Sequence, residues 1–324
     1  MALLKVNNLS IAINNKSQLL PVVENISFVL NENETLGIVG ESGCGKSLTA
    51  LAIMGLLQGT QVRITAGSIE FNNRNLLEIP DKQRRQIMGD QMAMIFQEPM
   101  TSLNPVYRIG DQIVEALQQH RQMSSVECWN RALQLLEMVK IPNPEQRINS
   151  FPHQLSGGQR QRVMIAIALS CDPKLIIADE PTTALDVTVQ KEVLDLMLEL
   201  QKSTGTSIIL ISHDLGVVAQ TCDKVAVMYR GRFVESASTN ELFANILHPY
   251  TSGLLKSIPS LDSDTEWLEA VPGRVPTLEE KLPGCAFHPR CSFAQSLCAE
   301  KLPELATVGT QHASRCHYAG ELEL

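Results

Sequence analysis

Residues 35–57, "TLGIVGESGCGKSLTALAIMGLL", pass from a short apolar run through a glycine-rich turn into apolar positions at helical spacing. That order predicts strand, loop, helix. Further short apolar runs, "MAMIFQ" (92–97), "LIIAD" (175–179) and "SIILIS" (207–212), fit strands buried in a parallel sheet. Helical patterns separate several of them; in "VTVQKEVLDLMLELQKS", Val189, Val193, Met197 and Leu200 recur at the helical period. "KVAVMYRGRFVES" predicts a hairpin turning at Arg230-Gly231. Strands alternating with helices predict an α/β core around a parallel sheet.

Between Pro99 and Phe151 the pattern becomes helical. "DQIVEALQQH" and "CWNRALQLLEMVK" each carry one apolar face, and Pro142 with Pro144 stops the second. A helical insert within the α/β core is expected there. After "HPYTSGLLKSIPS" (248–260) the chain turns rich in Pro and Cys, which predicts a small appended module from about residue 256.

Composition narrows the class. The 324 residues suffice for about two domains, and 44% hydrophobic with 19% charged residues is ordinary for a water-soluble globular chain. A net charge of −8 with only short basic patches, such as Lys82, Arg84 and Arg85, argues against a nucleic-acid partner. The start "MALLKVNNLS" turns polar too early for a secretory signal. No apolar run approaches the roughly 18 residues of a membrane span. The expectation is a protein in the cytosol, or one docked to a membrane through other chains.

The glycine-rich turn carries the first chemistry. "GESGCGKS" (40–47) has the Gly-x-x-x-x-Gly-Lys-Ser spacing, after a predicted strand and before a predicted helix. Gly40, Gly43 and Gly45 permit backbone conformations that a Cβ blocks, and the loop amides with the helix N-terminus can cradle a phosphate. In this chemistry Lys46 neutralises the β- and γ-phosphates and Ser47 ligates Mg²⁺. "LIIADE" supplies two acids directly after a buried strand: Asp179 for Mg²⁺, and Glu180 as general base for the attacking water. "SIILISHD" repeats the plan with His213 at a strand end, a candidate γ-phosphate sensor or a structural histidine.

"HQLSGGQRQR" (153–162) adds a second anion-binding helix start. Ser156 and Gln159 stand at capping-box spacing, which explains both of them. Gly157 and Gly158 are not explained by it, because glycine in a helix costs about 1 kcal/mol against alanine. Close approach of a phosphate to their amides is one reason for such a pair. With one nucleotide already cradled at 40–47, this start is expected to serve a nucleotide held by another subunit.

Six motifs in one order, Gly40–Ser47, Gln97 of "FQEP", "LSGGQ" (155–159), Asp179-Glu180, "ALD" (184–186) and His213, resemble the nucleotide-binding subunit of an ABC transporter over residues 3–255. The resemblance implies a P-loop NTPase (RecA-like) core with an N-terminal antiparallel β region and a helical subdomain at about 99–165. It implies ATP binding by Gly40, Glu41, Ser42, Gly43, Cys44, Gly45, Lys46, Ser47 and Thr49, with Gln97 and Asp179. It further implies Mg²⁺ on Ser47, Gln97 and Asp179, catalysis by Glu180, His213 and Gln97, and completion of a partner's site by Ser156, Gly157, Gly158, Gln159 and Asp186.

"IFQEPMTSLNPVYRIGDQI", "HPYTSGLL", "VPG" and "GCAFHPRC" resemble the dipeptide, oligopeptide and nickel importer branch over effectively the full length. That implies an importer ATPase at the cytoplasmic face of a bacterial inner membrane. It would be paired with a second homologous ATPase, under two permease subunits and an extracytoplasmic solute-binding protein. The solute could be a dipeptide, an oligopeptide, haem, nickel or an antimicrobial peptide. A soluble, non-transport ABC ATPase is the alternative class. One departure is the lack of any Phe, Tyr or Trp in residues 1–27 to stack adenine, which leaves Ile11 or Ile13 as an aliphatic platform.

Four of the eight cysteines, Cys285, Cys291, Cys298 and Cys316, crowd the last 40 residues. In a reducing compartment such a group suggests a metal before a disulfide. The absence of a C-x-x-C pair makes a zinc ribbon less natural, whereas four thiolates can hold a [4Fe–4S] cluster. The resemblance implies the cluster; zinc and bare thiols are the alternatives. His288, His312 and His317 lie nearby, with simple solvation as the plain alternative to a role at the cysteines.

Overall fold

The structure is a computed structural model and describes residues 1–15, 18–183, 185–257, 271–309 and 311–324. The chain opens on two long strands, β1 (Ala2–Asn15) and β2 (Gln18–Asn31), followed by β3 (Thr35–Val39), helix α1 (Lys46–Ile53), β4 (Val62–Phe71) and β5 (Arg74–Asn75). Next come α2 (Asp81–Ile87), β6 (Met92–Ile95), α3 (Pro99–Ser102), α4 (Ile109–His120), α5 (Ser125–Met138), α6 (Pro144–Arg147) and α7 (Gly157–Leu169). Then follow β7 (Leu175–Asp179), α8 (Val187–Thr204), β8 (Ser207–Ser212), α9 (Leu215–Thr221), β9 (Lys224–Tyr229) and β10 (Arg232–Ser238). Helices α10 (Thr239–Ala244), α11 (Pro249–Lys256) and α12 (Ser296–Glu300) and strands β11 (Ala306–Val308) and β12 (His312–Ser314) complete it. Two units result, one of Met1, Asn31–Glu34 and Glu78–Ile209, the other of Ala2–Leu30, Thr35–Leu77 and Leu210–Leu324.

The second of these units holds the expected antiparallel sheet, in the order β2-β1-β4-β5. Leu4 lies opposite Phe71 and Val6 opposite Ile69, and all four are buried. Alternation at period two thus places one face of β1 on the core. Strands β11-β12-β10-β9-β3 form a second run in the same unit. There β3 pairs in parallel with β9, and β10 folds back antiparallel on β9. The hairpin turns at Arg230 (φ 44°) and Gly231 (φ 78°), the double left-handed turn that matches strand twist.

The C-terminal segment is part of this unit, with β12 pairing on β10 at Glu235 and Ser314. Glu235 is fully buried. It accepts from the Leu247 amide at 2.6 Å and the His248 amide at 3.2 Å, and lies 2.8 Å from His312 Nε2. His312 is therefore buried, so solvation does not describe it, because its strand docks over a carboxylate that needs partners out of water.

In the other unit β6 and β7 run in parallel. Ile109, Ile113 and Leu117 of α4 and Cys128, Ala132, Leu135 and Leu136 of α5 are buried at helical spacing. Helix α4 packs on α5, and both pack on α7, which forms the expected helical insert. Helix α5 starts on a complete capping box between Ser124 and Glu127. Helix α8 buries Val193, Leu194, Leu196, Met197 and Leu200 and ends at left-handed Gly205. Among the described residues no helix is long and apolar enough to cross a membrane.

Candidate functional site

Residues 40–47 join β3 to α1 as the spacing predicts. Gly40 takes φ 157° and Gly45, the cap of α1, φ 110°. A Cβ on Gly40 would meet the Met228 carbonyl oxygen at 2.1 Å, so only glycine fits between loop and strand. Lys46 is buried, with Nζ 2.7 Å from the Gly40 carbonyl and 3.1 Å from that of Glu41, and so curls over the loop. Ser42 and Gly43 are exposed and Ser47 half-buried. Thr49 is buried, its hydroxyl donating to the Gly45 carbonyl at 2.9 Å. Cys44 lies beneath the loop, where burial pushes its thiol pKa up. His213 sits exposed beyond β8, just before Asp214, which caps α9. Ile11 is fully buried and cannot stack a base; Ile13 is half-buried.

In the unit of β6 and β7, Asp179 ends β7 with 6% exposure, and Glu180 follows at φ 45°. A left-handed non-glycine residue costs roughly 1–2 kcal/mol, and such strain concentrates at functional positions. The conformation is held from two sides. Gln97 Nε2 donates to Glu180 Oε2 at 3.0 Å, and the Thr183 hydroxyl donates to the same oxygen at 2.9 Å. Gln97, beyond the end of β6, thus reaches a carboxylate 83 residues away, a contact that the sequence reading, which gave it a role toward Mg²⁺ and catalysis, did not anticipate.

Helix α7 starts at the predicted capping box. Ser156 Oγ accepts from the Gln159 amide at 3.3 Å, and Gln159 Oε1 accepts from the Ser156 amide at 3.1 Å. The two glycines have different causes. A Cβ on Gly158 would lie 2.5 Å from Val189 Cγ1, so packing of α7 on α8 within the chain already demands glycine there. Gly157 is exposed and would make only an ordinary 3.4 Å contact with Leu185. The argument from close anion approach therefore rests on Gly157. Asp186 is exposed and caps α8 by accepting from the Val189 amide at 3.0 Å. Ala184 of the same motif lies outside the described residues.

Cys285, Cys291, Cys298 and Cys316 line one small pocket, together with Phe287 and Phe293. Burial pushes the Cys285 thiol up to about 11, with the neighbouring thiols of Cys316, Cys298 and Cys291 adding to the shift. Cys291 and Cys316 are raised for the same first reason. Among the described residues no group of three or more His, Cys, Asp or Glu is arranged to hold a metal ion. The adjacent histidines are engaged by backbone, His288 Nδ1 at 2.8 Å from the Cys285 carbonyl and His317 Nε2 at 2.8 Å from that of Lys301.

The sequence marked His248, Tyr250 and Arg290 only as part of the resemblance-bearing stretches "HPYTSGLL" and "GCAFHPRC", with no role for any of them. His248 is fully buried, and its Nδ1 accepts from the Tyr250 amide at 3.1 Å, capping α11. Burial, assisted by the nearby Arg315, lowers its pKa to about 3. An unfolded histidine takes its proton near pH 6.5, whereas the folded one refuses it until about pH 3. This contribution is fully present above pH 6.5 and is lost as pH falls, at about 1.4 kcal/mol per pH unit. The wild type should lose stability between pH 6.5 and 5 more steeply, by that slope, than His248→Asn, which keeps an oxygen to cap the helix. Denaturant midpoints across that range measure the difference; parallel curves would exclude His248 as the cause.

Comparison with known proteins gives the family. The family described as ABC transporter matches residues 23–183, and the oligopeptide/dipeptide transporter C-terminal region matches residues 234–298. The chain is 50% identical to the oligopeptide transport ATP-binding protein AppD of Bacillus subtilis, over 97% of this chain and 96% of that one. It is 46% identical to the dipeptide transport ATP-binding protein DppD of Escherichia coli, over 98% and 97%. A solved dimer of the ATP-binding cassette MJ0796 bound to ADP and Pi superposes with a TM-score of 0.65 at 28% identity, covering 73% of this chain and 98% of that one. With a glycine-rich strand-to-helix loop, a strand-end Asp-Glu pair and a capped Ser-Gly-Gly-Gln helix start in one polypeptide, the chain belongs to the ABC transporter ATPases, in the branch that carries the oligopeptide/dipeptide transporter C-terminal region.

Proposed function

We propose that this chain hydrolyses ATP to drive import of dipeptides or oligopeptides across a bacterial inner membrane, docked on its cytoplasmic face. The relatives named for peptide transport support the substrate class. The observation that carries the catalytic reading is Glu180, held left-handed at a strand end by Gln97 and Thr183. In this reading Gly40 to Ser47 and Thr49 bind the nucleotide, and Lys46 neutralises its terminal phosphates. Ser47, Gln97 and Asp179 would hold Mg²⁺, which would supply further neutralisation of phosphate charge. Glu180 takes the proton of the attacking water, and His213 senses the γ-phosphate. Ser156, Gly157, Gly158, Gln159 and Asp186 complete a nucleotide site on a second, homologous cassette, and the dimeric cassette structure supports that pairing. The remaining partners are two permease subunits and an extracytoplasmic solute-binding protein.

We further propose, on the resemblance and on the four thiols that line one pocket, that Cys285, Cys291, Cys298 and Cys316 would hold a [4Fe–4S] cluster. Cys298 is buried and Cys285, Cys291 and Cys316 are half-buried, and soft sulfur donors of this kind suit iron–sulfur chemistry. The same preparation tests both readings. Cells lacking the chain should fail to accumulate labelled dipeptide and recover with it restored, while nickel and haem uptake stay unchanged. Purified anaerobically, the protein should carry iron and acid-labile sulfide in equal amounts and lose both in Cys298→Ser. Unchanged peptide uptake sinks the first reading, and metal-free or zinc-loaded protein sinks the second.

A further inference from the structure

The cysteine-bearing segment is wired to the phosphate loop. Arg290, one residue before Cys291, has its side chain 3% exposed and forms a two-pronged ion pair with Glu41. Nη1 lies 2.6 Å from Oε2 and Nη2 lies 2.9 Å from Oε1. Glu41 is the second residue of the 40–47 loop, 249 residues away in sequence. The guanidinium is fixed in turn by the carbonyls of Pro272 (2.7 Å) and Val271 (3.2 Å). It stands 5.8 Å from the ring centroid of Tyr229 and 5.9 Å from that of Phe287. The loop is gripped a second time through its backbone, since the Glu41 amide donates to the Tyr250 hydroxyl at 2.8 Å. Tyr250 is fully buried against Tyr229 and Phe287, with centroids 4.6 and 5.3 Å away.

Planar, bidentate pairing by a buried arginine fixes direction as well as distance. Solvation alone would leave a half-buried loop carboxylate free to rotate. The remaining contacts are tied to the same frame, because the Gly231 amide donates to the Cys44 carbonyl at 2.8 Å. Glu41 is therefore held by side chain and backbone from the C-terminal third of the chain, while Lys46 folds onto the carbonyls of Gly40 and Glu41.

We propose that Arg290, with Tyr250, is a positioning residue of the phosphate loop, through which the C-terminal cysteine segment sets the affinity for ATP. This rests on the reading of residues 40–47 as the ATP site. In a loop of this kind the backbone amides cradle the α- and β-phosphates, which stay on the nucleotide, so they bind ATP and the transition state nearly alike. Loosening them weakens both states alike and raises KM while leaving kcat in place. A residue needed only for folding would instead lower the amount of active enzyme, and so kcat, at constant KM.

The experiment measures ATP turnover by the full chain in its assembled importer for Arg290→Met, Arg290→Lys, Glu41→Gln and the double variant Glu41→Gln/Arg290→Met, with thermal unfolding beside each. Arg290→Met is expected to raise KM for ATP about tenfold with kcat within twofold. Arg290→Lys, which keeps charge without the fork, should fall between it and wild type. The double variant should be no worse than Arg290→Met, because both remove one interaction. Should Arg290→Met fail to fold, Arg290→Lys and Glu41→Gln decide alone, and unchanged KM in both overturns the proposal. It is equally overturned by a fall in kcat at constant KM, or by single effects that multiply in the double variant. Lys46→Ala separates the two levels: if it binds ATP normally, the reading of the loop fails, whatever Arg290 does.

Discussion

Replacing Glu180 by glutamine should lower ATP turnover by about 10²–10⁴-fold, the range of a lost general base, while nucleotide still binds. Glutamine keeps an oxygen where Gln97 Nε2 and the Thr183 hydroxyl now donate, so the local frame survives. What it loses is the ability to take a proton. Binding and turnover then come apart, and the ATP-bound pair of cassettes should accumulate, visible as a larger species in sedimentation with ATP. Glu180→Gly makes a companion test of the backbone. Glycine relieves the left-handed conformation at φ 45°, so this variant should be as inactive as Glu180→Gln yet unfold at a temperature no lower than wild type. Near-normal turnover in Glu180→Gln would remove the general-base role.

The second large effect concerns a residue proposed to serve the nucleotide of a neighbouring cassette and not that of its own chain. Ser156→Arg places a long cation at the exposed start of α7, where a neighbouring cassette's nucleotide is proposed to sit. Turnover should fall by about 10²–10³-fold, comparable to losing a donor aimed at transition-state charge. ATP affinity measured on the separate chain should stay within twofold. The substitution also removes a helix cap worth about 1 kcal/mol, and Ser156→Thr, which keeps the cap without the bulk, controls for that. Weakened ATP binding by the separate Ser156→Arg chain would mean that this helix start serves its own nucleotide.

The sequence made legible what depends on neighbours in the chain. "LIIAD" became β7, the Arg230-Gly231 turn closed its hairpin, and Ser156 with Gln159 formed the capping box that their spacing specified. These are local: a period, a turn requiring positive φ, and a three-residue hydrogen-bonding reach. The spacing could not show what sits across a fold. Gly158 is glycine because Val189 fills the space beside it, a contact between two helices. Arg290 reads as one more basic residue in a Cys-rich tail until the fold brings it against Glu41. Solvation of His312 stays an alternative until its strand lands on Glu235. "HPY" marked a resemblance, but its chemistry is a neutral buried histidine capping α11 and a tyrosine reaching the Glu41 amide. A strained φ such as that of Glu180 leaves no trace in residue type, since glutamate is not a turn former.

Each chain is proposed to carry complementary parts of two different nucleotide sites, and turnover per chain against chain concentration tests this most directly, with the companion cassette present at equal concentration. Specific activity should climb from near zero to a plateau as the cassettes associate, and Ser156→Arg should lower the plateau without shifting ATP affinity. A flat profile extending below the association range, with Ser156→Arg as active as wild type, would contradict it.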